Sequence, residues 1–389
     1  MSEKNPVVVV GAGLGGIRTA EALRSAGYTG RLVVVGAEPH LPYDRPPLSK
    51  EYLRGDRDNV SLCGDGVAEA HNLEFRTATQ ATGLDLAGRR LVLGDSDLGY
   101  DRLVVATGLV PRSLPGSEKF AGTHVLRTLD DAAALRAELG AGRRMVVVGA
   151  GFIGCEIAAT AVGLGVEVTI VEPQPTPLCA ALGQTVGALV GRLHLDAGVD
   201  LRCGVGVAGL DGGARVKTVR LNDGTEIEAD LVVSAIGSVP AVAWLSGSGL
   251  ELADGIVCDE RGRTSDPHVW AVGDVAAWYD QAHGRAVRRE HWTPVTEQAV
   301  IAAGDLLGQP PSSQRGLAYF WSDQHGVKLQ ALGDFRPDDD VRIVHDDGRR
   351  FMAVYARSGR ISGVVGGGMP AKVIGARSLI ERAAGIDEI

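Results

Sequence analysis

An α/β architecture with two Rossmann-like dinucleotide-binding units is predicted by three observations. Two glycine-rich hexapeptides, GAGLGG at residues 11–16 and GAGFIG at residues 149–154, stand 138 residues apart. Each follows a short apolar run, four valines at residues 7–10 and Met145-Val146-Val147-Val148 in the second case. Each leads into an alanine-rich stretch with helical spacing. Strand, tight turn and helix give these glycines their meaning, because glycine by itself is plentiful at 54 of 389 residues. In such a unit the first glycine (Gly11, Gly149) permits the turn and the second (Gly13, Gly151) lets a pyrophosphate approach the backbone. The third (Gly16, Gly154) lets helix pack on strand. Two units predict two bound dinucleotides, with electrons passing between them.

The elements follow in an interrupted order. A first βαβ unit spans residues 7–35 and turns at residues 27–30. A proline-rich loop, residues 39–47, precedes a helical stretch at 48–53 and then short strands ending at 103–106 in Ala106-Thr107-Gly108. The second unit spans residues 144–172 and continues through an Asn222-Asp223-Gly224 hairpin signal to a strand at 231–236. Gly273-Asp274 follows an apolar strand and precedes Val275-Ala276-Ala277, a pattern that predicts Asp274 as the N-cap of a helix. From about Arg315 short strands alternate with glycine and charged turns, closing in a helix at residues 371–384.

Composition narrows the function. A chain of 389 residues suits two or three domains, and 45% apolar with 22% charged residues is ordinary globular composition. Its longest apolar runs are strand-length, so no membrane span is expected. The first strand begins by Pro6, leaving no room for a signal peptide, and a cytoplasmic location is expected. Five widely spaced cysteines without a CxxC argue against a disulfide framework, a zinc ribbon or a dithiol redox pair. A net charge of −9 argues against nucleic acid and anionic membranes as partners.

Several motifs occur in a set order: GAGLGG, then Tyr43-Asp44-Arg45-Pro46-Pro47-Leu48-Ser49-Lys50, Ala106-Thr107-Gly108, GAGFIGCE ending at Glu156, Val272-Gly273-Asp274, and Tyr319-Phe320-Trp321-Ser322-Asp323-Gln324. Together they resemble, over essentially the whole chain, the FAD-dependent NADH:ferredoxin reductases of bacterial oxygenase systems. The YDRPPLSK stretch is the most specific of them. The resemblance implies a glutathione-reductase-like fold with an FAD domain made of residues 1–112 and 240–314, an NAD domain at 113–239 and a C-terminal α+β domain at 315–389. It implies electrons moving from NADH through FAD to a two-iron ferredoxin that feeds an oxygenase.

The same resemblance distributes roles. Gly11, Gly13, Leu14, Gly15 and Gly16 would hold the FAD pyrophosphate, and Gly149, Gly151, Phe152, Ile153 and Gly154 that of NADH. Arg45 would contact an FAD phosphate, Lys50 would stand beside the isoalloxazine, and Glu156 would lie near the nicotinamide; as alternatives, each could be a solvated surface charge. A fixed ammonium at Lys50 would stabilise the anionic reduced flavin. Ala81 would meet the adenine through its backbone, and Asp274 would bind the ribityl chain. Trp292 and Trp321 would lie against the flavin or pack in the core. Ala106, Thr107, Gly108, Arg127, Gly237, Gly273 and Thr293 complete the cofactor-binding set.

Two carboxylates carry ribose readings. Strand 32–35 runs into Gly36, and Glu38 comes two residues late for an FAD ribose ligand, so it is that ligand or a surface carboxylate. Glu172 lies 23 residues after Gly149, close to the spacing of the acid that accepts from both adenosine ribose hydroxyls. No arginine follows at residues 173–177 to receive a 2′-phosphate, which favours NADH. Cys155 reads as a packing residue. The loop at 39–50 lacks the redox cysteine of related peroxidases, oxidases and CoA-disulfide reductases, so the acceptor must come from outside. Rubredoxin, a quinone or oxygen are alternative acceptors, and a redox-sensing interaction protein of the apoptosis-inducing-factor kind is the alternative of another class. Arg285, Arg288 and Arg289 form the densest basic cluster, a docking patch for an acidic ferredoxin or a solvated loop.

Overall fold

Strands that are apolar at every position are stable only when both faces are covered, and the valine runs at the start of each unit meet that condition. The structure, a computed structural model, describes residues 5–64, 71–281, 283–290, 292–310 and 316–389, with the side chains of Trp292 and Thr293 left outside that set. The chain divides into two units, one of Met1–Asp44, Val60–Val110 and Val239–Gly316 and one of Arg45–Asn59, Pro111–Ser238 and Leu317–Ile389.

In the first unit Val7–Val10 is the middle of a five-stranded parallel sheet, in the order Val269–Ala271, Arg102–Val105, Val7–Val10, Leu32–Val35, Glu74–Arg76. All four valines are buried, as their β-branched shape on a doubly covered sheet requires. The second and fourth strands flank the first, so the glycine turn after Val10 lies where the order of strands reverses, the usual ligand crevice of such sheets. Helix Leu14–Ser25 follows that turn and packs on helix Trp292–Leu306. A smaller antiparallel sheet is formed by Gly83–Asp85, Arg90–Leu93 and Ser96–Gly99, and a mixed one is built around Gly255–Cys258.

Two expectations fail here. Residues 275–277 do not form an α-helix: Ala276–Asp280 is a strand, parallel to Gly255–Cys258 and antiparallel to Arg285–Arg288. Two sheet partners and the buried Trp278, whose indole N–H donates to the Ala271 carbonyl at 2.8 Å, override the helix preference of the alanines. Asp274 therefore does not cap a helix at residues 275–277 and lies half-buried in the single 3-10 turn Gly273–Val275.

The second unit repeats the parallel design, in the order Asp200–Cys203, Glu167–Glu172, Arg144–Val148, Leu231–Ser234, Thr123–His124. Helix Phe152–Gly163 follows its glycine turn. The hairpin at Asn222-Asp223-Gly224 joins Val216–Leu221 to Glu226–Glu228, with Gly224 at φ +87°. Tyr319–Gln324, Val327–Gly333, Arg360–Gly367, Phe351–Arg357 and Asp340–Asp346 form a five-stranded antiparallel sheet. Alternation along Phe351–Arg357 sends Phe351 and Tyr355 against helix Cys179–Asp196 and Met352 and Val354 towards Val373 and Ile380. The closing helix is two, Pro370–Gly375 and Arg377–Glu381, because Gly375 weakens the helix and the Ala376 backbone opens to ψ −6°. The helical stretch after the proline loop is likewise a 3-10 turn, Pro46–Ser49, and a short helix, Glu51–Arg54, parted by the non-helical Lys50.

Asp305 ties the last helix of the first unit to its sheet. Its carboxylate accepts from the Trp270 indole at 3.0 Å and from Arg263 at 2.6 Å. Burial raises its pKa, but the Arg263 and Trp270 hydrogen bonds outweigh that and hold it below the usual range. A depressed folded pKa contributes stability that is fully present above the ordinary carboxylate range and is lost as pH falls through the folded value. Asp305→Asn should lower the melting temperature at pH 7, with the gap to the wild type closing in acid; a pH-independent gap would refute the assignment.

Candidate functional site

Both glycine turns are built alike. Gly11 has φ +110° and Gly149 φ +100°, and a Cβ at either would strike a carbonyl oxygen of the neighbouring strand's end, Ala106 or Ala235. A Cβ on Gly16 or Gly154 would strike the carbonyl of Gly11 or Gly149, so the third glycine lets the helix sit on its own turn. Gly13 and Gly151 differ: among the described residues nothing lies within 4 Å of a Cβ there. Each is the N-cap of a 12-residue helix without a side-chain cap, so the first N–H groups and the positive helix end face that open space. Two uncapped helix ends, each behind a glycine that leaves room, fit two pyrophosphates.

Glu172 ends strand Glu167–Glu172 and is fixed to the second turn. One carboxylate oxygen accepts from the Ala150 N–H at 2.7 Å and the other from the Gln174 N–H at 2.8 Å. Each oxygen keeps a lone pair for a ribose hydroxyl. A cavity of about 930 Å³ opens between the neighbouring Val171 and Pro173, lined also by Arg202, Asn222 and Ile236. Arg202 was invisible to a linear search after Glu172. Strand pairing sets it opposite Val171, where its guanidinium donates to Asp200 at 2.9 Å.

The other first-unit positions gather around the Gly11 turn or outside it. Ala106, buried, lies under Gly11, and the Thr107 hydroxyl donates to the Ala241 carbonyl at 3.0 Å. Gly15 packs near Ala106 and Val272, and the Gly273 N–H donates to Gln298 at 2.8 Å. Gly108 takes φ +70°. Leu14 opens the first helix. Ala81 is buried in the same core. Half-buried Glu38 accepts from the Tyr43 hydroxyl. The side chains of Trp292 and Thr293, together with His291 and Arg315, lie outside the described residues.

In the second unit Arg45 donates to the Arg127 carbonyl, and the Arg127 N–H donates to Asp131 at 3.1 Å. Phe152 meets Phe320 edge-on at 5.0 Å, Ile153 is exposed, Gly237 takes φ +90° and Trp321 stacks on Tyr319 at 6.1 Å. Cys155 is fully buried, burial pushes its thiol up, and it is a packing residue.

Lys50 and Glu156 are not solvated charges. Both are buried, and the Lys50 ammonium lies 2.7 Å from Glu156 Oε2. Its remaining protons reach the Pro46 carbonyl at 3.0 Å and the Ser49 hydroxyl at 3.5 Å. Ser49 also donates to Glu156 Oε2 at 2.5 Å, while Ser322 donates to Oε1 at 2.7 Å. Thr160 fixes the turn by donating to the Ser49 carbonyl at 2.7 Å. The sequence reading named the two charges but missed Ser49, Thr160 and Ser322, although Ser49 and Ser322 stand inside quoted motifs.

The basic cluster is not an open patch. Arg288 pairs with Asp254 at 3.1 Å and with Glu290, and Arg289 pairs with Asp280 at 2.8 Å, leaving Arg285 exposed. Among the described residues no group of three His, Cys, Asp or Glu is placed to hold a metal ion, and no helix is long and apolar enough to cross a membrane.

Residues 5–304 match the family model for pyridine nucleotide-disulphide oxidoreductases, and residues 319–388 match that for the reductase C-terminal domain. Putidaredoxin reductase of Pseudomonas putida is 38% identical over 344 residues, covering 86% of this chain and 81% of that protein. The ferredoxin–NAD(+) reductase component of the anthranilate 1,2-dioxygenase system of Burkholderia cepacia is 37% identical over 363 residues, 91% of this chain and 88% of its own. The crystal structure of the covalent putidaredoxin reductase–putidaredoxin complex superposes with a TM-score of 0.94 at 35% identity, over 97% of this chain and 93% of that one.

The glycines separate folding from binding. Gly154→Ala puts a methyl against the Gly149 carbonyl and should lower the melting temperature by several degrees. Gly151→Ala meets nothing within 4 Å and should melt like the wild type while weakening NADH binding. Equal melting temperatures for both variants, or unaltered NADH binding by Gly151→Ala, would refute the assignment.

Proposed function

The chain belongs to the pyridine nucleotide-disulphide oxidoreductase family, among the ferredoxin reductases of oxygenase systems, and on that premise we propose how its residues work. It is an FAD-dependent oxidoreductase that passes electrons from NADH to a ferredoxin feeding an oxygenase. We take the ferredoxin to be a two-iron protein. Bound FAD supplies the conversion of an electron pair into single electrons. The GAGLGG turn, Gly11, Gly13 and Gly16, holds the FAD pyrophosphate, and the GAGFIG turn holds that of NADH. Glu172 accepts from the adenosine ribose hydroxyls and repels a 2′-phosphate, whose charge is about −1.5 to −2. Lys50 offsets the negative charge of the reduced cofactor, and Glu156 holds that ammonium in place. Arg45, Asp274 and Trp321 serve as further FAD contacts. The observation that carries this reading is the duplicated glycine turn together with the buried Lys50–Glu156 pair.

Three domains are proposed: residues 1–112 with 240–314 for FAD, 113–239 for NADH and 315–389 at the C-terminal end. The reductase C-terminal match at 319–388 supports the last of these. A cytoplasmic place of action is proposed because NADH is the donor and the five cysteines are free thiols.

Adding a two-iron ferredoxin to enzyme, NADH and cytochrome c should raise cytochrome reduction in proportion to the ferredoxin; a rate indifferent to ferredoxin would overturn the acceptor assignment. For the donor, kcat/KM for NADH should exceed that for NADPH by more than tenfold, about 1.4 kcal/mol. Glu172→Ser should narrow the ratio and Glu172→Arg should narrow it further. Equal efficiency of the wild type with both coenzymes would remove Glu172 from the ribose.

A further inference from the structure

The hydrogen bonds of Glu156 do not stop at Ser322. Gln324 Nε2 donates to the Ser322 hydroxyl at 3.0 Å, Gln324 Oε1 lies 3.1 Å from His194 Nε2, and His194 Nδ1 lies 3.0 Å from His325 Nε2. The two imidazoles meet edge-on at 4.6 Å, and Arg349 donates to the His325 carbonyl at 2.7 Å. The inner members are sealed: Ser322 and His194 are 0% exposed, Gln324 2%, Glu156 3% and Lys50 6%. His325 is half-buried on the turn between Tyr319–Gln324 and Val327–Gly333.

The carboxylate sets the direction of this chain. Glu156 Oε1 can only accept, so Ser322 must donate to it and must itself accept from the Gln324 amide. That turns Gln324 Oε1 to His194, whose Nε2 must carry a proton, which leaves Nδ1 to accept from His325. Four donors in series thus point from the protein's rim to Glu156. The reversed amide would set lone pair against lone pair at Ser322. Hydrogen bonds in series polarise one another inside a low-dielectric core. His194 is satisfied as neutral imidazole, and burial first, then His325, brings its pKa down to about 4. Burial and Arg349 lower that of His325 as well. The titratable and charged groups along the chain are thus Lys50, Glu156, His194, His325 and Arg349, with the buried Cys155 thiol, pushed up by burial, next to Glu156 in sequence.

We propose that Ser322, Gln324, His194 and His325 are positioning residues, a one-way hydrogen-bonded relay that fixes the Glu156 carboxylate against Lys50 and through that pair tunes the bound flavin. The proposal rests on the reading of Lys50 and Glu156 as groups that act on FAD. A buried amide and two histidines in a strand-and-helix interface are costly unless every member is satisfied, and this arrangement satisfies each of them. Nothing in packing alone calls for such a chain, since apolar residues of the same volume would fill the space.

Gln324→Met cuts the relay in its middle with an apolar side chain of like size, and Ser322→Ala cuts it at the carboxylate. Both holoenzymes should keep FAD and hold KM for NADH within about twofold, while flavin bleaching by NADH slows about tenfold in Ser322→Ala, the loss of one hydrogen bond to a charged group, and by a smaller factor in Gln324→Met, whose lost bonds are between neutral groups. The midpoint potential of the bound flavin should shift in the same sense in both, and Ser322→Thr, which keeps the hydroxyl, should restore rate and potential. Wild-type rate and potential in both cut variants would overturn the relay, as would a slowing matched by loss of FAD. Glu156→Gln separates the two claims. If it slows bleaching and the cut variants do not, the relay alone falls; if it too is without effect, the reading of the pair falls and the relay with it.

Discussion

The second unit is organised around one constraint: a lysine and a glutamate are buried together and must remain together. Removing either charge from water is expensive, and only a close partner with its other hydrogen bonds complete offsets the cost. That requirement joins three remote segments. The 3-10 turn Pro46–Ser49 brings Lys50 and the Ser49 hydroxyl, helix Phe152–Gly163 brings Glu156 and Thr160, and strand Tyr319–Gln324 brings Ser322. The break in the helical path at Lys50, φ −124° and ψ −105°, belongs to the same arrangement, since an unbroken helix from Pro46 to Arg54 would aim that side chain elsewhere. A pair held this firmly keeps its ammonium in a fixed position.

The glycine turns solve a complementary problem. Anions are attracted to the uncapped ends of two helices, and the chain must approach them without side chains in the way. Collisions that a Cβ would cause at Gly11, Gly16, Gly149 and Gly154 are with the protein itself, whereas Gly13 and Gly151 face open space. The same six-residue solution therefore serves folding at its outer glycines and leaves room for the proposed pyrophosphate at its middle one. Duplication of the unit supplies the two sites that electron transfer between nucleotides requires.

How much of this was legible follows from how local each signal is. The two strand–turn–helix units were readable because valine runs, glycine spacing and alanine-rich helices are all contained within about 20 residues of sequence. Ala276–Asp280 was misread because alanine by itself favours a helix and its parallel partner, Gly255–Cys258, is remote in sequence, although its antiparallel partner, Arg285–Arg288, lies close by. Lys50 and Glu156 were legible as motif members, but their contact, across more than a hundred residues of chain, was not. Arg202 entered the cavity beside Glu172 from a neighbouring strand, and Arg288 and Arg289 lost their status as a basic patch to the adjacent Glu290 and to Asp254 and Asp280, which no run of sequence announces. The His194–His325 contact had no sequence signal at all: it exists only once strand and helix have packed.

The proposed electron path depends on the Lys50 ammonium acting on the reduced flavin. Spectroelectrochemical titration of the FAD midpoint potential in the wild type and in Lys50→Met addresses it without depending on turnover or on the ferredoxin. Removal of a positive charge that stabilises the anionic reduced cofactor must lower the potential while FAD stays bound. A Lys50→Met protein that keeps its flavin and the wild-type potential would contradict the claim and return the buried pair to a purely structural role.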